Sequence, residues 1–111
     1  MKEEKVWGTA HHVFCSETCA VSVLETKKGG FSSNHYHRDR VNRFIVQSGQ
    51  IDIVHECGPT VHLGPGDTYD VEPGIVHRFE VIEPGVVVEV YYAAPVRLDD
   101  IIRLDTGGLR A

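Results

Sequence analysis

Turn signals punctuate this chain at intervals of roughly ten residues, a spacing too tight for helices and suited to short strands. The punctuation is Lys28-Gly29-Gly30, Ser48-Gly49, Cys57-Gly58-Pro59, Gly64-Pro65-Gly66, Glu72-Pro73-Gly74 and Glu83-Pro84-Gly85. Between these points lie β-branched and aromatic runs, which predict strands at Ala20–Glu25, Ser33–His37, Arg43–Gln47, Gln50–Glu56, Thr60–Leu63, Thr68–Val71, His77–Val81 and Val86–Tyr92. About eight strands at this spacing imply an all-β sandwich or closed barrel rather than an open sheet. No linker, solenoid repeat or low-complexity tract divides the 111 residues, so a single domain is expected. Its barrel should run from about residue 19 to 92, with an N-terminal strand arm over 1–18. The more polar tail, 95–111, should pack outside as a short helix or extended arm.

Composition narrows the classes of function. At 41% hydrophobic and 24% charged, the chain can bury a core and is not disordered by composition. Apolar runs as short as Val86–Val88 fall far below the ~20 residues a membrane helix needs. The first residues, MKEEKVWG, carry charge with no apolar stretch behind it, so no signal peptide is expected. Eleven Lys and Arg against sixteen Asp and Glu give a net charge of −5, which argues against a nucleic-acid partner. Three cysteines, Cys15, Cys19 and Cys57, cannot all pair within one chain, and a cytoplasmic setting follows. The run from His11 to Cys19, HHVFCSETC, has a spacing that fits no common zinc site. Small side chains at a strand entrance are the better reading of those two cysteines.

Two histidine clusters carry the chemistry. In the first, Gly29-x5-His35-Tyr36-His37-x4-Asn42-x6-Gly49, residues 35 and 37 share one face of a strand while Tyr36 faces the other way. Their Cα atoms should lie roughly 6–7 Å apart, near enough for two imidazoles to reach one ion. Asn42, on the following strand, offers an oxygen donor. In the second, Gly66-Asp67-x5-Pro73-Gly74-x2-His77, a Pro-Gly turn delivers a third imidazole. Three converging imidazoles beside a possible oxygen ligand describe a site for a divalent transition metal (Zn, Mn, Co, Ni or Fe) with positions left open. The other histidines read differently: His55 and His62, around the Cys57-Gly58-Pro59 turn, as surface or packing residues, and His11 and His12 as exposed.

These two blocks resemble the two motifs of the cupin superfamily, which implies a double-stranded β-helix, or jelly-roll, barrel with a metal at its centre. Within that superfamily the chain is similar to the type II mannose-6-phosphate isomerase domain. The likeness runs from Trp7-Gly8, through Ser32-Ser33-Asn34-His35-Tyr36-His37-Arg38, Asn42-Arg43-Phe44-Ile45-Val46-Gln47-Ser48-Gly49 and Pro73-Gly74-Ile75-Val76-His77-Arg78-Phe79-Glu80, to Asp99-Asp100-Ile101-Ile102-Arg103-Leu104. The chain departs from that pattern at Asn42, where the family usually has Glu, and at Phe44, where it usually has Trp. It departs again at Gly107-Gly108-Leu109-Arg110, which lacks the family's Tyr. Three imidazoles and an amide cancel none of an ion's +2 charge, so this ligand set implies a strong Lewis acid that favours anionic ligands.

The resemblance implies an aldose–ketose isomerase, a reaction that moves a proton between neighbouring carbons. It needs a Lewis acid, a base near the carbon acid and cations for a phosphate. Glu89 interrupts the run Val86–Tyr92. Pointing inward it would be a base with a raised pKa, but the solvated face of a half-buried strand is the commoner place for Glu. Glu80 is a weaker candidate for the same task. Arg38, Arg40 and Arg43 gather around the first motif and Arg78 follows His77, with Arg103 and Arg110 in the tail. A guanidinium suits phosphate, although strand alternation sends Arg78 to the face opposite His77, toward the rim. Surface pairing with Asp39 and Glu80 is the alternative for these arginines.

Three functional classes follow from the sequence. The foremost is a metal-dependent sugar or sugar-phosphate isomerase, with Glu89 and Arg78 as the catalytic candidates. The second is a non-catalytic cupin that binds a small sugar-like molecule, and the third is an iron-dependent dioxygenase. Exposed sheet edges predict a homodimer, with the segment from Val6 to Glu25 as a pairing strand.

Overall fold

The computed structural model describes residues 1–93 and 100–110, and among these every regular element is a strand. In chain order they are β1 (Lys2–Lys5), β2 (Gly8–Cys15), β3 (Cys19–Thr26), β4 (Gly30–Phe31), β5 (His35–Tyr36), β6 (Val41–Val46) and β7 (Gln50–His55). There follow β8 (Val61–Leu63), β9 (Thr68–Val71), β10 (His77–Glu83), β11 (Val86–Tyr92), β12 (Ile102–Arg103) and β13 (Gly108–Leu109). One antiparallel sheet has the order β1-β2-β3-β11-β6-β9. The facing sheet has the order β12-β5-β10-β4-β13, with β7 also paired to β10 and β8 to β7. This is the expected all-β jelly roll.

Alternation along the strands builds both the core and the polar cavity above it. On β6 the inward residues are Asn42, Phe44 and Val46; on β10 they are His77, Phe79 and Val81. On β3 they include Ser22 and Leu24, and on β11 Val87 and Glu89. β6, β10 and β11 are therefore apolar at one end of the buried face and polar at the other. The apolar halves meet with Trp7, Ala10, Ile51, Ile53, Leu63 and Val71 in one cluster. Phe79 lies at its centre, edge-on to Trp7 with ring centroids 5.0 Å apart and 6.1 Å from Phe44. Such aromatic pairs add about 1 kcal/mol each beyond the area they bury.

Turn chemistry fixes the strand ends. Gly49 joins β6 to β7 at φ 78°, and a Cβ there would stand 2.5 Å from the Glu83 carbonyl oxygen, so only glycine fits. Two register shifts interrupt the ladders, one between Val81 and Glu83 and one between His12 and Phe14.

Strands also occupy both terminal segments of the described residues. Residues 2–15 form β1 and β2, and β2 pairs with β3 from Gly8↔Thr26 to Cys15↔Ala20. The tail is an extended arm where it is described: β12 pairs with β5 and β13 with β4. The part of the expected tail over 95–99, and residue 111, lie outside the described residues. Among the described residues no helix is long and apolar enough to cross a membrane.

Candidate metal centre

β5 and β10 bring the two histidine clusters together. His77 is the register partner of His35, and His37 follows two residues later on the same face. The three rings stand with centroids 4.6 to 5.6 Å apart. One ring nitrogen from each lies within 4.8 Å of the others. All three side chains are buried, His77 completely.

Hydrogen bonds set the tautomers. His35 Nδ1–H donates to the Ser33 carbonyl at 2.7 Å, His37 Nδ1–H to that of Asp100 at 2.7 Å, and His77 Nδ1–H to that of Ile75 at 2.9 Å. Each imidazole is thereby left with an Nε2 lone pair. On His37 and His77 that nitrogen is buried and has no partner in the protein. Buried polar atoms without partners are costly, and a cation between the three nitrogens removes that cost.

Electrostatics keeps the rings neutral. Burial, followed by the neighbouring His77 and His37, lowers the pKa of His35 to about 3. Burial lowers that of His37 to about 4 against the opposing bond to Asp100, and it lowers that of His77 as well. Neutral imidazole is the form that binds metal, so the cluster stays ready for an ion well into the acid range.

A polar wall continues from the cluster. Asn42 is fully buried; its Nδ2 donates to Glu89 Oε2 at 3.2 Å, while its Oδ1 has no partner. Glu89 points inward at 9% exposure, although the solvated face is the commoner place for such a residue. Burial raises its pKa, opposed by hydrogen bonds from Tyr91 and Asn42. Burial and the Glu89 charge hold the Tyr91 phenol well above its ordinary value. The Arg40 guanidinium, itself buried, lies 3.7 Å over the Tyr91 ring, and its Nε is 3.1 Å from His37 Nδ1. His35, Arg40, Glu89, Tyr91, Arg103 and His12 all face a cavity of about 300 Å³, with Lys5 and Glu3 of β1 also in its wall.

Other candidates from the sequence lie elsewhere. Arg78 is placed outside the cavity, held by Glu80 at 2.7–2.8 Å and by Asn34 at 3.4 Å. Glu80 also pairs with Arg110, and Arg43 forks onto Asp70. His55 bonds the Pro59 carbonyl and the Tyr69 hydroxyl, and His62 bonds Asp52, so neither joins the cluster. Cys15, Cys19 and Cys57 are free thiols, while His11 pairs with Glu25. His12 departs from expectation: it faces the cavity and bridges Ser22 to Glu3. Tyr91 was readable, because it stands two residues after Glu89 on the same strand face. The inward turn of Arg40 lies in a loop, where no periodicity reveals it.

Residues 22–91 match the cupin domain family. No curated protein matches the chain significantly. The fold is shared with KdgF from Halomonas sp., at TM-score 0.78 and 19% identity, over 89% of this chain and 91% of that one. It is also shared with a double-stranded β-helix protein from Klebsiella pneumoniae, at TM-score 0.74 and 21% identity, over 92% and 86% of the two chains. Oxalate decarboxylase from Bacillus subtilis gives TM-score 0.79 at 18% identity; 94% of this chain corresponds to 30% of that larger one. At these identities the likeness concerns the fold.

Proposed function

The chain belongs to the cupin domain family, and we propose that within it this protein is a metal-dependent isomerase of a small sugar or sugar phosphate. The observation that carries the reading is the set of three imidazoles, each with its Nδ1–H given to a backbone carbonyl and its Nε2 turned to a shared centre. His35, His37 and His77 would hold a divalent transition ion, with the unpartnered Oδ1 of Asn42 as the fourth donor. Such an ion supplies Lewis acidity toward a carbonyl or hydroxyl oxygen.

The remaining work falls to side chains of the wall. A carboxyl whose pKa is raised toward the working pH can take a proton from one carbon and return it to the next. Glu89 has that character, and Asn42 and Tyr91 fix its orientation from two sides. Arg78 has no place in this scheme beyond the rim, since its guanidinium is engaged by Glu80 and Asn34.

The neutral Asn42 favours a second reading, a cupin that holds a small molecule against the metal without turning it over. Conversion of mannose 6-phosphate to fructose 6-phosphate by the metal-loaded protein separates the two. Conversion that is lost in Glu89→Gln supports the isomerase, and tight binding without conversion supports the binding module. Iron accompanied by oxygen uptake would point instead to a dioxygenase. The same reading includes a homodimer in a cytoplasmic setting, supported by the edge position of β1 in its sheet and by the free thiols.

A further inference from the structure

Arg103 differs from three other arginines of the described residues. Arg43, Arg78 and Arg110 each meet a carboxylate at 3.2 Å or less. Arg103 lies in the cavity wall and is the register partner of His35 on β12. Its Nη1 donates to the neutral hydroxyl of Ser33 at 3.1 Å, and among the described residues no carboxylate pairs with it.

The other charged side chains of the cavity wall are engaged elsewhere or do not pair with Arg103. Arg40 is a second guanidinium in the wall, and Lys5 stands at the β1 side. Glu3 is taken up by Lys5 at 2.7 Å and by His12 at 2.9 Å. Glu89, the remaining carboxyl of the wall, accepts from Asn42 Nδ2 at 3.2 Å. The metal-binding side chains are all uncharged, so an ion there would add its full +2. A protein with net charge −5 has thus left the Arg103 guanidinium, in the wall of a small hollow, without a carboxylate partner among the described residues. Such a hollow favours negative ligands, and a planar guanidinium fork fits the paired oxygens of a carboxylate or phosphate.

We infer that the ligand of this cavity carries an oxyanion and that Arg103, which shares the cavity wall with His35 and Glu89, is the residue that reads it. The inference rests on the proposed function and deepens it, since it assigns the charged end of the substrate to Arg103 rather than to Arg78. Carboxylate and phosphate share the required chemistry, and the test separates them.

The experiment is a calorimetric titration of the full chain with malonate and, separately, with inorganic phosphate. It compares wild type, Arg103→Gln, Arg103→Lys and Arg43→Gln, with the metal content of every sample measured first. The expected result is saturable binding of one of the two anions, weakened about ten- to hundredfold by Arg103→Gln. Arg103→Lys should recover part of that loss, and Arg43→Gln should bind as wild type does. The anion that binds more tightly identifies the group. Absence of anion binding in a metal-loaded wild type, or equal binding by wild type and Arg103→Gln, overturns the inference while leaving the metal site intact. A wild type that takes up no metal counts instead against the proposed function. The arginine part is then read from the same titration of the metal-free chains, where equal binding by wild type and Arg103→Gln again overturns it.

Discussion

Asn42 Nδ2 donates to Glu89 Oε2 across 3.2 Å in the interior of the barrel. The two residues sit on neighbouring strands, β6 and β11, and one amide thereby serves two ends of the site. Its nitrogen restrains the carboxyl, and its Oδ1 is left buried without a partner. Because the Asn42 bond lowers the Glu89 pKa against the effect of burial, its loss should move that pKa upward. Asn42→Ala should therefore shift the acidic limb of the pH profile of kcat/KM to higher pH and weaken metal binding about tenfold. An acidic limb that stays in place would show that Glu89 does not set it.

Glu89→Gln keeps the shape of the side chain and removes its proton chemistry. Turnover by the metal-loaded protein should fall by at least about a hundredfold, the scale of general acid–base catalysis, with metal content unchanged. A variant that retains most of its turnover would dismiss Glu89 as the proton carrier.

Phe44 is 1% exposed and lies between the apolar cluster and the histidines, with ring centroids 6.1 Å from Phe79 and 6.4 Å from His77. Phe44→Ala should cost about 3–5 kcal/mol of stability in urea unfolding, because the surrounding strands cannot close the void. A loss below about 1 kcal/mol would mean that the site collapses readily and that this aromatic does not support the metal centre.

Stability of the metal-free protein should fall on mild acidification. His35 and His37 have folded pKa values of about 3 and about 4, below the 6.5 of the free side chain. As pH drops below 6.5 the unfolded chain takes up protons that the folded chain refuses, so folding is penalised progressively down to about pH 4 and then 3. Asp100 and Asp105, whose pKa values are lowered in the fold, add further loss as the pH falls below their ordinary value of 3.8. The urea midpoint of chelator-treated protein should therefore decline steadily from pH 7.5 to pH 5. A flat profile over that interval would contradict the burial assigned to the rings.

The parts of this site that were legible in the sequence are those that regular alternation controls. His35 and His37 at i and i+2 were placed on one face by strand geometry, and the resemblance of the two blocks to cupin motifs implied that His77, after a Pro-Gly turn, joins them. Glu89 was harder to orient, because β11 lies inside its sheet with β3 and β6 on either side. Its outward residues Val86, Val88 and Val90 are half-buried, so both faces are apolar and no contrast marks the inner one. β1 was expected only as part of an N-terminal strand arm over 1–18, since Lys2–Lys5 is charged throughout and shows no alternation; its conformation comes from the ladder with β2. Arg40 and Arg103 take their roles from loop and tail placement, which the local sequence does not encode.

The account stands or falls on whether the three imidazoles hold an ion. Elemental analysis of purified wild type beside His37→Ala and His55→Ala, all verified as folded by circular dichroism, measures this directly. The account predicts about one divalent transition ion per chain in wild type and in His55→Ala, and a near-complete loss in His37→Ala. A wild type that carries no such ion after reconstitution, or a His37→Ala that keeps it, would contradict the assignment.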